Sequence, residues 1–226
     1  KAAGYKTFKF RNGTSWKYSG MTMKEYLPIL SRLRSAVGPD FRLVLEKFPW
    51  PFEVIVNELC PALEDLGFYW YEEPLETENP SALEQHVAIN EAMPSVMVSG
   101  GESWWNRWQV RPYVSSGAMN IVQTDANLTG ISEGWYIGQT ISEFGQYYCP
   151  HNWVGGLTTI ANIHLVAGVP CGHMCELNQT YNPLKWDIFK DPYLIEDGVL
   201  TIPDRPGFGV DLIEDIEERF PFVPGP

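Results

Sequence analysis

The chain has 226 residues, 44% of them hydrophobic, and a formal net charge of -12. That length and apolar content can fill one sizeable core and argue against a disordered chain. The acidic balance and the dispersed lysines and arginines exclude the basic face of a nucleic-acid binder, and no apolar run reaches membrane-spanning length.

Short apolar runs rich in β-branched and aromatic residues alternate with amphipathic stretches along the chain. The first run, residues 5–10, carries Lys9, with Arg11 two positions on, so both share one strand face. A helix is expected over about 22–36, with Tyr26, Leu27, Ile29, Leu30 and Leu33 as its apolar stripe and Gly38-Pro39 as its stop. Further strands are expected at 41–45, 68–71, 95–99, 119–123, 147–149 and 169–174. Helices at about 52–66, 80–92, 107–115, 131–144 and 156–167 separate them. From about 178 to 226 the sequence turns polar and Pro-rich, and a short hairpin near 198–203 and a closing segment are expected, with no second domain.

One polar residue stands just beyond each of six successive strands: Glu46, Glu72, Glu102, Asp125, His151 and Glu176, spaced 26, 30, 23, 26 and 25 residues apart. Each interval holds one strand, one helix and two loops. Such alternation implies a parallel sheet with right-handed crossovers. Closed into a barrel, the sheet gathers its C-terminal strand ends at one mouth. An open doubly wound sheet would spread the six residues along an edge, and no Gly-x-Gly-x-x-Gly loop follows the first strand. Seven strands are expected where a closed barrel has eight and about 250 residues, so a first strand is expected to lie outside this sequence.

Three carboxylates on consecutive strands, Glu46, Glu72 and Glu102, suit a hard divalent cation such as Mg²⁺, with substrate and water completing the shell. Glu73 is expected to point outward from Glu72. Asp125 beside His151 suits a general base, because the carboxylate fixes the imidazole tautomer and raises its basicity. Lys9 and Arg11 would meet an anionic substrate or a developing negative charge. Glu176 is either a protonated acid donating to a reacting oxygen or an ordinary carboxylate at the mouth. Cys171, His173 and Cys175 have the spacing of zinc ligands but no fourth partner, so they read as packing. Four cysteines are too few for a disulfide scaffold. With the sequons at Asn12, Asn127 and Asn178 read as unused, a cytoplasmic protein is expected. Trp104, Trp105 and Trp108 would line the site or serve a contact in a homo-oligomer.

An ordered set of strings resembles the C-terminal barrel of the enolase superfamily, in its mandelate racemase and acid-sugar dehydratase branch. They are Gly4 to Arg11, Ala36 to Asp40, Tyr69 to Glu76 (with Glu72-Glu73-Pro74), Gly101-Glu102, Asn120 to Asp125, Pro150-His151 and Pro206 to Val210. The resemblance implies an α/β fold, a modified (β/α)7β TIM barrel, with an N-terminal capping domain in full-length members. It implies one Mg²⁺ on Glu46, Glu72 and Glu102, and abstraction of the proton α to a substrate carboxylate through a metal-stabilised enediolate. His151, oriented by Asp125, would be the base. Two strings depart from the family: Glu46-Lys47-Phe48 replaces an Asp-x-Asn, and Lys9-x-Arg11 replaces a Lys-x-Lys whose second lysine is a base. Arginine stays protonated, which favours dehydration of a sugar acid to a 2-keto-3-deoxy acid over a two-base racemase or epimerase of a 2-hydroxy acid. A member that has lost catalysis and acts as a binding protein is the remaining alternative.

Overall fold

The computed structural model describes residues 4–11, 21–47, 50–153 and 155–224. Asn12 and Phe48, named above, lie outside them. Six strands, β1 (Thr7–Phe10), β2 (Arg42–Glu46), β3 (Trp70–Glu72), β4 (Met97–Gly100), β5 (Ile121–Val122) and β6 (Tyr147–Tyr148), form one parallel sheet in chain order. The expected seventh strand is reduced to one parallel bridge between Tyr148 and Gly172, held by Tyr148 N–H to Cys171 O at 2.9 Å and His173 N–H to Tyr148 O at 3.0 Å. Pro170, which has no N–H to donate, limits the run.

Alternate strand residues face two different cores. Val44, Trp70, Ile121 and Cys149 pack together with Met97 and Met174 inside the curved sheet. Leu43, Leu45, Tyr71, Val98, Val122 and Tyr148 face outward into the layer beneath the helices. Two cores, one on each face of a sheet whose strands follow chain order, are the anatomy of a (β/α) barrel.

Helix α1 (Met23–Val37) starts at a Thr22–Glu25 capping box and stops at Gly38, whose φ of 83° leaves the helical region. The next expected helix is observed in three parts: α2 (Phe52–Val54), a π-helical turn at Ile55–Leu59, and α3 (Cys60–Asp65). Pro61 cannot donate to the carbonyl of Asn57, and the ladder widens just before it. Helices α4 (Ala82–Ala92) and α5 (Arg107–Ser115) fall close to expectation. α6 (Ala126–Glu143) begins five residues earlier than expected because Asp125 caps it, and Gly130 (φ 66°) kinks it. α7 (Gly156–Gly168) is followed by a tail holding α8 (Pro183–Trp186), the hairpin β7–β8 (Leu194–Glu196, Val199–Thr201) and α9 (Ile216–Arg219).

In the tail, Ile188, Phe189 and Tyr193 form a separate core with Ile160 and Ile163 of α7. Among the described residues no helix is long and apolar enough to cross a membrane. The bridge strand tests packing directly, since a Cβ on Gly172 would overlap the Val166 carbonyl. Gly172→Ala is expected to destabilise the fold by about 1–3 kcal/mol in denaturant titration, the usual penalty for overpacking a tight site.

Candidate active site

Strand register sets the level of the first two carboxylates. Glu46 is paired with Glu72 across β2 and β3, and Phe10 with Leu45 across β1 and β2. Arg11 therefore lies beside Glu46, which lies beside Glu72, on one inward-facing rung. Ser99 continues that rung on β4, and the Gly100-Gly101 turn carries Glu102 back over the mouth. Glu46, Glu72 and Glu102 each offer an oxygen within 4.8 Å of the other two. At that separation two like charges repel by about 3 kcal/mol at an effective dielectric of 20. The cluster is stable only with positive charge nearby. Lys9 and Arg11 supply two charges, since Lys9 Nζ is ion-paired with Glu72 and lies 2.7 Å from Glu176 Oε1, and Arg11 is paired with Glu46. Burial works to lower the Lys9 pKa, but Glu72 and Glu176 outweigh it and raise it. Three convergent hard oxygens are donors that suit Mg²⁺ or a similar cation.

Next to this cluster, His151 Nδ1 lies 2.9 Å from Asp125 Oδ2, and His151 Nε2 lies 3.7 Å from Glu102 Oε2. Burial alone would lower the His151 pKa; the Asp125 hydrogen bond and the charges of Glu102 and Glu176 reverse that and raise it. The other Asp125 oxygen, Oδ1, accepts from the backbone N–H of Asn127 at 2.8 Å and from Asn162 Nδ2 at 3.1 Å. A cleft of about 330 Å³ opens on this side, lined by Glu102, Asp125 and His151 together with Trp105 and Leu128.

Asn162 is a site residue that the sequence reading missed. It is fully buried on α7; its Nδ2 also donates to His151 O at 3.0 Å, and its Oδ1 accepts from Ala126 N–H at 2.9 Å. One amide thus ties α6, the His151 backbone and the Asp125 carboxylate together. Asn162→Ala is expected to destabilise the protein by about 1–3 kcal/mol, since it strands buried polar groups, and calorimetric unfolding would measure this. Asn152 acts similarly, donating to Glu176 O at 2.8 Å and accepting from Thr159 Oγ1 at 3.0 Å. No motif marks either asparagine; for Asn162 the only sequence signal is a polar residue in the apolar stripe of α7.

Glu176 lies inside the barrel beside Lys9. Burial raises its pKa against the pull of Lys9, and its Oε2 meets no protein partner among the described residues. Gln123, buried two residues before Asp125, likewise presents an amide without a protein partner among the described residues.

Glu73 corrects an expectation. It does not point outward; it is 8% exposed, and its Oε1 accepts from Gly101 N–H at 2.6 Å and Glu102 N–H at 3.3 Å. Burial, helped by the charge of Glu102, pushes its carboxyl up to about 7. Trp104 is also buried, its ring packed at a tilt of 47° against Tyr113, whereas Trp105 and Trp108 are exposed. Cys171 donates to Gly138 O, and His173 Nε2 meets the Tyr69 hydroxyl at 2.5 Å. Those partners belong to packing.

The family model described as enolase C-terminal domain-like matches residues 1–216. An arabinonate dehydratase of Saccharolobus solfataricus is 31% identical over 210 residues, covering 92% of this chain and 55% of that protein. A D-galactarolactone cycloisomerase of Agrobacterium fabrum is 28% identical over 210 residues, covering 89% of this chain and 54% of that protein. The chain thus spans about half the length of these relatives. A mandelate racemase/muconate lactonizing enzyme structure from a Sulfitobacter species superposes with a TM-score of 0.83 at 27% identity, over 100% of this chain and 57% of that one. The described strands, their order and the matched length agree: the chain belongs to the enolase C-terminal domain-like family.

Proposed function

We propose that residues 1–226 form the catalytic barrel of a Mg²⁺-dependent dehydratase of sugar acids, with the segment from about 178 closing it. The observation that carries this reading is the meeting of two sets at one mouth. The carboxylates of Glu46, Glu72 and Glu102 converge, and the His151–Asp125 dyad adjoins them, with His151 Nε2 3.7 Å from Glu102 Oε2. The names of the dehydratase relatives support the substrate class.

A bound cation would hold the substrate carboxylate and offset the charge that develops on it as the α-proton leaves. The neutral His151 Nε2, its tautomer fixed by Asp125 on Nδ1, is placed to take that proton. The C3–oxygen bond then breaks, and the hydroxyl leaves as water with a proton returned by the imidazolium. The resulting enol becomes a 2-keto-3-deoxy acid. Lys9, kept protonated between Glu72 and Glu176, serves as a fixed positive charge near the developing anion. Arg11, paired with Glu46, adds a second. Glu176, whose carboxyl is buried, is placed to donate a hydrogen bond to a substrate oxygen.

A two-base racemase needs a neutral acceptor opposite His151. Lys9 is held as a cation between Glu72 and Glu176, and arginine is a poor base, so dehydration is favoured. Incubating the protein with Mg²⁺ and a panel of sugar acids should yield 2-keto acids. α-Proton exchange with deuterium and no keto acid would replace the proposal with the racemase. Failure to bind Mg²⁺ with the three glutamates intact would leave only a binding role.

A further inference from the structure

Glu73 occupies a position that neither binding the cation nor moving a proton explains. It follows Glu72 directly in the chain, yet its backbone turns to φ 46°, a left-handed conformation that costs a non-glycine residue about 1–2 kcal/mol. That turn reverses the alternation of β3. Glu72 points into the barrel, and Glu73 reaches sideways across the strand ends to β4. Its own N–H donates to Ser99 O at 2.9 Å.

Its Oε1 receives two successive backbone N–H groups, those of Gly101 and Glu102. Consecutive N–H groups aimed at one oxygen form an anion-binding nest. Here the anion is supplied by the same chain, and Gly101 (φ 95°) provides the backbone turn that the nest needs. Gly100 makes the approach possible, since a Cβ there would lie 3.1 Å from Glu73 Oε1 and 2.9 Å from the Met119 methyl.

We infer that Glu73 is a positioning residue that sets the distance between the Glu72 and Glu102 carboxylates. It is bonded covalently to the first residue and hydrogen-bonded to the backbone of the second, and it spans the gap between β3 and β4. This inference rests on the carboxylate cluster being a cation site. A tie that merely held the loop would give stability without tuning affinity for the ion.

Mn²⁺ affinity of the folded protein, followed by calorimetry and by the electron paramagnetic resonance of the bound ion, tests the inference. Glu73→Ala is expected to weaken binding about 10- to 100-fold, the usual effect of removing a residue that orients a ligand. Glu73→Gln keeps an oxygen facing both N–H groups and should stay within about threefold of the parent, a rescue by the conservative change. In a Glu102→Ala background, Glu73→Ala should add less than about threefold, because its route of action is gone. Binding unchanged by Glu73→Ala, or losses that simply multiply with Glu102→Ala, would overturn the inference. If Glu73→Ala does not fold, Glu73→Asp carries the test. One methylene shorter, it withdraws from the Glu102 N–H and should weaken binding, and unchanged affinity would be fatal. Glu72→Ala run alongside separates the two failures, since undiminished binding there would refute the cation site itself.

Discussion

Replacing His151 by asparagine is expected to lower kcat on a sugar acid by about 10²- to 10⁴-fold, the range supplied by a positioned general base. Mg²⁺ affinity should change far less than turnover, because His151 is not one of the three convergent carboxylates, although its Nε2 lies 3.7 Å from Glu102 Oε2. Asparagine keeps a nitrogen near Asp125 but cannot accept a proton at neutral pH. Asp125→Asn makes a finer test. Asp125 is one of the groups that hold the His151 pKa up against burial. Without the aspartate charge the imidazole loses its proton at lower pH, so the acidic limb of the kcat/KM profile should move to lower pH. The maximum should fall as well, because the tautomer is no longer fixed. A limb that stays in place would remove Asp125 from its assigned role.

Glu72→Ala is expected to weaken Mg²⁺ binding more than about 100-fold, since loss of an orienting neighbour alone typically costs 10- to 100-fold. Turnover should fall with it. Glu72 is the most enclosed of the three glutamates, 1% exposed, and it also takes the Lys9 ammonium and the Trp70 indole N–H at 3.1 Å. Glu72→Gln separates charge from packing. It fills the same volume and can still accept from Trp70, but offers the ion no negative charge. Equal losses in the two variants, by isothermal titration, would assign the effect to charge. Retained binding in Glu72→Gln would assign it to shape.

Much of this arrangement is legible in the sequence because a parallel barrel has a short repeat. A polar residue at the end of each strand is forced to the mouth whatever the intervening helix does, so Glu46, Glu72, Asp125 and His151 could be placed by spacing alone. The alternation of Val44 with Glu46, and of Trp70 with Glu72, also fixes which face is inward. What spacing does not encode is the behaviour of backbone that breaks its period. Glu73 looked outward by alternation, and its own left-handed backbone turns it sideways to the end of β4. The first turn of α6 was invisible because Asp125 serves both as the cap and as the partner of His151. The strand through Gly172 was overestimated because Pro170 has no N–H for a ladder, and one bridge forms where a strand was expected. Asn162 and Asn152 were missed because a buried amide is specified by its partners in space, and those partners come from four separate segments.

The tail that covers α7 has a consequence for how the site is built. One face of α7 packs on Ile188, Phe189 and Tyr193, and the same helix presents Thr159 and Asn162 to the histidine side of the mouth. A substitution in the tail, remote in the chain from Glu46 and Glu72, would thus be felt at the Asp125–His151 pair through Asn162 rather than at the acidic rung.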